Sequence, residues 1–275
     1  MISASIGPCL QTIDCCMRIA LGVEYDGRDF HGWERQSHAR SVQTCVERAL
    51  SKVADEPVSS VCAGRTDARV HSLSQVVHFD TGAHRSERSW VLGANAHLPD
   101  DVSVLWAHEV DDSFHARFSA MSRSYHYVIL NRLVRPGALR GRVTWQNQPL
   151  DDLAMARAAS ALIGQHDFSA FRASKCQAKS PVRTLHELAV SRNGEYVVLS
   201  VRANAFLQHM VRNLAGVLMA IGTGAQPVTW AAYVLASRDR RCGGVTASPH
   251  GLYFTAVQYP EHFSLPMLSP SIGLW

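Results

Sequence analysis

The feature that most restricts the fold of this chain is the order of strands and helices that its hydrophobic patterns predict. Every second residue is apolar over 17–25, which predicts a half-buried strand. Over 42–53 the apolar residues recur at helical spacing behind Ser41, a plausible N-cap, and predict an amphipathic helix. The strands that complete this part are at 58–63, 75–80 and 102–110, with a helix at 86–96. The first part of the chain therefore has the order βαββαβ.

The remainder of the chain repeats this order. Strands are predicted at 124–131, 185–191, 196–203 and 252–259, and helices at 151–163, 206–221 and 229–237. Asn193-Gly194, between two of these strands, is a strong hairpin signal. No fixed-period repeat accompanies the duplication, which rests on element order alone. We therefore expect an α+β protein with two ferredoxin-like halves, one broad and mainly antiparallel sheet, helices on one face and a cleft between the halves.

The same patterns divide the chain into four parts. Residues 1–16 are predicted to be an extension, 17–115 the first half, 116–263 the second half, and the Pro- and Ser-rich residues 264–275 a tail. The first 16 residues lack Lys and Arg, so they make a poor signal peptide. The longest strongly apolar stretch, 214–221, is far shorter than the roughly 20 residues that a membrane-spanning helix needs.

The composition argues against disulfide and metal sites, and it says little else about function. The seven cysteines have no C-x-x-C spacing, which indicates reduced thiols in the cytoplasm rather than disulfides or zinc. The fourteen histidines include no H-E-x-x-H motif, so no metal is predicted, and His71, His78 and His209 are interpreted as packing or hydrogen-bonding residues. Arg outnumbers Lys heavily, and Arg binds phosphate and stacks on bases. GC-rich genomes also encode Arg-rich proteins, so this favours RNA only slightly.

The stretch 63–71 is the strongest candidate for chemistry. It connects two predicted strands and is longer than most hairpin connections, and such loops are often functional. In an extended segment Arg65 and Asp67 point the same way, so we expect them to pair and to keep the carboxylate ionised for nucleophilic attack. The alternative is a surface ion pair with Asp67 stabilising a turn, and spacing alone favours that alternative.

A resemblance to a known family changes this balance. Gly64-Arg65-Thr66-Asp67-Ala68, with Val70-His71 and the stretch 75–79, closely resembles the catalytic motif of the TruA-type tRNA pseudouridine synthases. Other stretches match that family in its own order, namely 25–27, 32–36, 41–43, 114–118, 125–127, 167–172, 204–206, 209–213 and 251–253. The resemblance runs from about residue 18 to residue 266. An ordered series of this length is far more specific than one motif.

The resemblance implies a role for each matching residue. Asp67 would be the nucleophile, attacking either C6 of the uracil or C1′ of the ribose. Arg65 would orient Asp67 and help fill the space left by a flipped nucleotide, and Tyr125 would stack on the uracil and take part in proton transfer. On periodicity alone, Tyr125 would simply pack in the sheet. The other residues implied to contact substrate are Arg212, Leu252, Arg85, Phe114, His115, Arg117, Phe118, Lys175 and Lys179.

The implied substrate is uridine at positions 38 to 40 in the anticodon stem-loop of tRNA, bound by a homodimer in which one tRNA touches both subunits. No metal or organic cofactor is implied, because uracil can leave and return without redox chemistry. A uridine in a stem must first flip out, at a cost of a few kcal/mol. Stacking on an aromatic side chain, about 1–3 kcal/mol per base, would offset much of that cost.

One residue departs from the family pattern and leaves alternatives open. The family has Gly two residues after the catalytic Asp, where this chain has Arg69. If the turn needs a positive φ, Arg costs roughly 1–2 kcal/mol there, and the loop either displaces Asp67 or gains a phosphate contact. A second hypothesis is thus a catalytically impaired tRNA-binding protein of the same fold. A third is a glycosidase, which would need a second carboxylate about 5–10 Å from Asp67, such as Glu24 or Asp26.

Overall fold

The computed structural model describes residues 16–174 and 176–266, which form ten strands and five α-helices. The strands are β1 (Met17–Tyr25), β2 (Val61–Cys62), β3 (His71–Thr81), β4 (Val102–Val110), β5 (Ser122–Asn131), β6 (Thr144–Gln146), β7 (Gly164–Asp167), β8 (Val182–Asn193), β9 (Tyr196–Ala203) and β10 (Leu252–Gln258). The helices are α1 (Val42–Ala54), α2 (Glu87–His97), α3 (Asp152–Ser160), α4 (Met210–Gly222) and α5 (Trp230–Ser237).

Most of the predicted elements are present, and their differences have local causes. The strand predicted at 58–63 is reduced to β2, and β3 begins at His71 rather than at Gln75. The short strands β6 and β7 were not predicted, because three or four residues are too few to show an alternating pattern. The helix predicted from Phe206 begins only at Met210, because His209 has a φ of 63° and cannot continue a helix backwards.

The strands form one sheet in the order β4-β1-β3-β10-β5-β9-β8-β7, with β2 paired to β3 and β6 paired to β5. Neighbouring strands are antiparallel except in the pairs β3 with β10 and β5 with β6. The first four strands run β4-β1-β3-β2, and the group β5, β8, β9 and β10 runs β10-β5-β9-β8. Each group therefore has its fourth, first, third and second strands in that spatial order.

The two groups of strands meet at a short junction. Strand β10 pairs with β3 only through Tyr253 opposite His71 and Phe254 opposite Ser72. Strand β2 occupies the same edge of β3 further along, with Val61 opposite His78. This junction places the residues that precede β3, including Asp67, beside the residues that precede and begin β10.

Helices cover the sheet through two main hydrophobic clusters. Helices α1 and α2 pack on β1, β3 and β4 around Leu21, Phe79 and Trp90, all fully buried. Helices α3, α4 and α5 pack on β5, β8 and β9 around Tyr127 and Leu218. The predicted N-cap of α1 is present, since Ser41 accepts a backbone N–H group in the first turn, and Asp151 caps α3 in the same way.

Two further properties can be read from the described part of the chain. None of its helices is long and apolar enough to cross a bilayer. No group of three or more His, Cys, Asp or Glu side chains is arranged there to hold a metal ion.

Candidate active site

A cavity of about 1030 Å³ lies at the junction of the two strand groups. One wall comes from 60–67, which comprises β2 and the loop after it, and the opposite wall from 205–212, which comprises the loop after β9 and the start of α4. The predicted site residues that line this cavity are Arg65, Asp67, Arg117, Tyr125, Arg212 and Leu252. Residues separated by more than a hundred positions in the sequence therefore share one space.

The loop that carries Asp67 is fixed largely through its backbone. The Trp33 N–H donates to the Thr66 carbonyl at 3.1 Å. The buried Gln75 side chain holds Gly64 from both sides, accepting its N–H at 3.3 Å and donating to its carbonyl at 2.6 Å. Gly32, with a φ of 100°, lies so close that a Cβ there would be 2.7 Å from the Thr66 carbonyl oxygen. Only glycine allows this approach, which explains the Gly32-Trp33 pair in the sequence.

The condition stated for Arg69 is met, because this residue has a φ of 66° in the left-handed region. Its N–H donates to the Phe30 carbonyl at 3.1 Å, and the Val70 N–H donates to the Asp67 carbonyl at 3.2 Å. These two hydrogen bonds stabilise the turn around Arg69, at a position whose φ is better suited to glycine. The turn accommodates an arginine, and Asp67 keeps contacts across the cavity.

The carboxylate of Asp67 has two cationic or polar neighbours from the opposite wall. Arg212 Nη1 lies 3.3 Å from Asp67 Oδ2, and His209 Nε2 lies 3.4 Å from the same oxygen. Arg212 is anchored in turn, because its Nε donates to the Ala247 carbonyl at 2.8 Å. The guanidinium complements the charge of a carboxylate, and a carboxylate is the form that attacks.

The expected pairing of Arg65 with Asp67 is wrong. Arg65 Nε instead forms a salt bridge with Glu34 at 2.5 Å, and its side chain remains 63% exposed. The pairing was inferred from the alternation of side chains in an extended strand, but residues 65–70 form a turn before β3. The side chains therefore diverge, and Asp67 finds its partner 145 residues away in Arg212.

Tyr125 lies between the sheet and the cavity. Its ring packs at a steep angle against Phe206 and Phe254, with centroid distances of 5.0 and 4.9 Å. Burial, and then the nearby Tyr25 and Asp67, raise the pKa of Tyr125 well above its ordinary value. The hydroxyl is therefore protonated at neutral pH and can donate a hydrogen bond.

Arg123 is a cavity residue that the sequence interpretation missed. Its guanidinium donates to the carbonyls of Ala63 and Ala120 at 3.1 Å and of Asn204 at 3.0 Å. Burial lowers its pKa, and the several carbonyl acceptors offset that burial. The group thus ties both walls of the cavity together. The sequence could have indicated Arg123, because it precedes Tyr125 by two positions on β5 and alternate residues of a strand point to the same face.

Some residues that the resemblance implicates lie outside the cavity. Phe114 is fully buried against Tyr259 and Phe263, so its side chain supports the 114–118 turn from within. His115 Nδ1 accepts the backbone N–H groups of Arg117 and Phe118, both at 3.2 Å, and Phe118 is 77% exposed. The remaining three are Arg85 and Lys179, which are exposed and do not line the cavity, and Lys175, which lies outside the described residues.

The carboxylates suggested for a glycosidase do not meet Asp67 in this cavity. Neither Glu24 nor Asp26 lines it. Burial opposes ionisation of Asp26, but hydrogen bonds from His71 and Arg28 outweigh it and hold its pKa far below the ordinary value. The second carboxylate lining the cavity is Glu34, and it is bound to Arg65. The arrangement lacks the free acid that glycoside hydrolysis uses.

Comparison with known proteins agrees with this geometry. A family model described as tRNA pseudouridine synthase matches residues 22–119 and 158–260. The chain is 57% identical to tRNA pseudouridine synthase A of Nitrosococcus oceani over 259 residues, which is 94% of this chain and 100% of that protein. It is also 57% identical to tRNA pseudouridine synthase A of Pseudomonas aeruginosa over 250 residues, 90% of this chain and 88% of that protein.

Among solved structures, a chain titled as a Cbf5-Nop10-Gar1 complex matches with a TM-score of 0.31 and 10% identity, covering 86% of this chain and 57% of that one. This likeness is too slight to carry an argument. The family model and the sequence relatives identify the class of this protein. It is an isomerase of the pseudouridine synthase class, and its cavity holds an aspartate together with an arginine and a buried tyrosine. Within that class the chain belongs to the tRNA pseudouridine synthase A, or TruA, family.

Proposed function

We propose that this chain isomerises uridine to pseudouridine in the anticodon stem-loop of tRNA, at positions 38 to 40, with Asp67 as the nucleophile. The observation that carries the proposal is the ion pair of Asp67 with Arg212 inside a cavity whose residues come from both strand groups. The relatives named above support tRNA as the substrate.

The proposed reaction moves the uracil without oxidation or reduction. The bond between N1 and C1′ breaks, the base turns, and a bond between C5 and C1′ forms as C5 releases its proton to water and N1 takes up a proton. Asp67 attacks either C6 of the uracil or C1′ of the ribose and is expelled again, so it returns unchanged. Arg212 would hold and orient the carboxylate, and the protonated Tyr125 would stack on the base and donate to it.

Arg65 would act at the mouth of the cavity. Its exposed guanidinium is bound to Glu34, itself on the cavity wall, so exchange of that partner would let it enter the space of the flipped nucleotide. The residues Arg85, Phe114, His115, Arg117, Phe118, Lys175 and Lys179 would serve the tRNA outside the reacting centre, with Phe114 acting through the turn that it supports. A homodimer in the cytoplasm is part of the same proposal.

We also propose the finer architecture, two ferredoxin-like halves at 17–115 and 116–263 with their helices on one face and the catalytic cleft between them, flanked by an extension at 1–16 and a tail at 264–275. The shared strand order of the two groups supports the duplication. The registers support a common face, because Tyr25 lies opposite Ser72, Ser72 opposite Phe254, and Phe254 opposite Tyr125. Tyr25 belongs to the cluster under α1, and Tyr125 to the cluster under α4.

Tritium release from a tRNA transcript labelled at C5 of uridine tests the proposal. We expect release by the wild type, mapped to positions 38 to 40, and a loss of at least about 10⁴-fold in Asp67→Asn, since removing a nucleophile removes the pathway itself. Binding of tRNA should stay within a few-fold, because the two side chains are nearly equal in size. Asp239→Asn, a change at a surface ion pair with Arg241, is the matched control and should release tritium normally.

The same assay separates the alternatives. Release by Asp67→Asn at the wild-type rate would eliminate Asp67 as the nucleophile. No release from the wild type, with release restored by Arg69→Gly, would identify a family member silenced at its own turn. Binding without release in every variant would leave a tRNA-binding protein.

A further inference from the structure

The residue before α4 has a backbone conformation that its type does not favour. His209 has a φ of 63°, in the left-handed region, and it occupies the N-cap position of a helix of 13 residues. Its side chain makes no capping hydrogen bond. The left-handed region costs a residue with a Cβ roughly 1–2 kcal/mol, and a capping side chain at this position would stabilise the helix by about 1 kcal/mol. Glycine would avoid the strain, and asparagine would reduce it and supply the cap.

The conformation of His209 is fixed by its neighbours. The Ala173 N–H donates to the Gln208 carbonyl at 2.8 Å, and the Met210 N–H donates to the Leu207 carbonyl at 3.0 Å. The His209 carbonyl accepts from Asn213 at 2.9 Å in the first turn of α4. Strained residues that their surroundings hold in this way are concentrated at active sites.

The side chain of His209 is directed at the reacting group. Its Nε2 lies 3.4 Å from Asp67 Oδ2, the same oxygen that Arg212 Nη1 approaches at 3.3 Å. An arginine and a histidine therefore approach one carboxylate oxygen, one from the helix and one from the strained residue before it. The Arg212 contact is a long hydrogen bond and the His209 contact is an approach within ion-pair distance, and such contacts tighten when substrate fills a site.

We propose that His209 is a positioning residue that holds Asp67 Oδ2 together with Arg212, so that Oδ1 is the oxygen left to attack. The inference rests on the proposed role of Asp67 as the nucleophile. A single donor lets a carboxylate rotate about the bond to Cβ, whereas two donors on one oxygen restrict that rotation. Misplacement of a reacting atom by about 1 Å can cost about 100-fold in rate, which sets the scale of the effect.

Three substitutions of His209 distinguish the effect of its side-chain contact with Asp67 from the effect of its backbone strain. His209→Gly removes the ring and relieves the positive φ, His209→Asn tolerates that φ but is too short to reach Asp67, and His209→Gln places an amide N–H near the former Nε2. We expect the single-turnover rate of tritium release to fall about 30- to 100-fold in the Gly and Asn variants, and to return to within about 10-fold of the wild type in Gln. The Kd for tRNA should stay within about 3-fold throughout.

Thermal unfolding of the same variants excludes a merely structural role. The Gly and Asn variants should unfold at or above the wild-type temperature, since neither is strained at a positive φ. A wild-type rate in His209→Gly would overturn the inference, and so would a rate loss that follows a fall in unfolding temperature. If wild type itself releases no tritium, the proposed function fails first. If it does and Asp67→Asn does not, only the role of His209 is under test.

Discussion

The two segments that meet at Asp67 each contain one residue with a Cβ in the left-handed region, but they are held in different ways. The turn at 66–70, around Arg69, is fixed chiefly by backbone bonds to 30–33 and by close approach at Gly32. The segment 204–213, around His209, has backbone bonds at Gln208 and Asn213 but is also anchored by side chains: Arg123 holds the Asn204 carbonyl and Asn213 holds the Phe171 carbonyl.

This difference predicts which side-chain substitutions each segment tolerates. A loop held by its backbone keeps its shape when a side chain is replaced, which is why Arg69 can stand in a turn suited to glycine. A loop held by side chains loses its shape when one anchor is removed. We therefore expect substitutions around 204–213 to have larger effects than those around 69.

The largest effect is expected at Asn213, which is almost fully buried. Its amide donates to the Phe171 carbonyl at 2.7 Å and accepts from Arg240 at 3.1 Å and from Thr246 at 2.7 Å. Asn213→Ala leaves these groups unsatisfied, so the free energy of unfolding should fall by about 2–4 kcal/mol, measured by urea denaturation. Tritium release should slow as well, because residues 246–247 anchor Arg212.

A matched variant checks whether the number of anchors matters. Thr246→Val removes one of the three hydrogen bonds of Asn213 and should cost only about 1 kcal/mol. If Asn213→Ala costs no more than Thr246→Val, the 204–213 segment does not depend on its side-chain anchors, and the comparison between the segments fails.

An intermediate effect is expected from acid, at an anchor outside both segments. His78 Nδ1 accepts the Ala116 N–H at 3.1 Å, and burial, with Arg18 and His115 nearby, lowers the pKa of His78 to about 4. The fold binds the neutral ring, whereas the unfolded chain takes up a proton near pH 6.5. Stability from this group is thus complete above pH 6.5 and is lost as pH falls toward 4, by about 1–2 kcal/mol after allowance for solvent screening.

Urea denaturation at pH 7.5, 6, 5 and 4 measures this loss. His78→Asn keeps an acceptor for the Ala116 N–H and cannot be protonated, so the difference between wild type and variant should vary with pH only between about 6.5 and 4. A constant difference over that range would mean that His78 does not carry the pH dependence.

The smallest effect is expected at Arg69. Arg69→Gly removes the left-handed strain but adds freedom to the unfolded chain, so the free energy of unfolding should rise by at most about 1 kcal/mol. Tritium release should remain within about 3-fold. Asp55→Gly also replaces a residue of positive φ by glycine, at a φ of 60° after α1 and away from the cavity, and it serves as the control. A rate loss in Arg69→Gly alone would show that the guanidinium, rather than the turn, matters for tRNA.

Local patterns predicted much of the fold and less of the site. Strands β1, β4 and β9 have the predicted bounds, because alternation within one strand is local information. Family motifs supplied Asp67 and Arg212 as site residues, but not the contact between them. Spacing suggested Arg65 instead, since a pattern within five residues cannot reveal a partner 145 residues away. His209 was interpreted as a packing or hydrogen-bonding residue, without its contact to Asp67, for the same reason.

The junction of two residue pairs between β3 and β10 also sets the order of assembly. The ribosome synthesises β3 long before β10. The edge of β3 beside His71 therefore has no partner strand while nearly all of the second strand group is synthesised. Until β10 pairs with both β3 and β5, nothing in the sheet joins the two groups. A nascent chain that still lacks β10 therefore lacks both the strand that joins the two groups and the Leu252 side chain that lines the cavity, so it has no complete site to offer a tRNA.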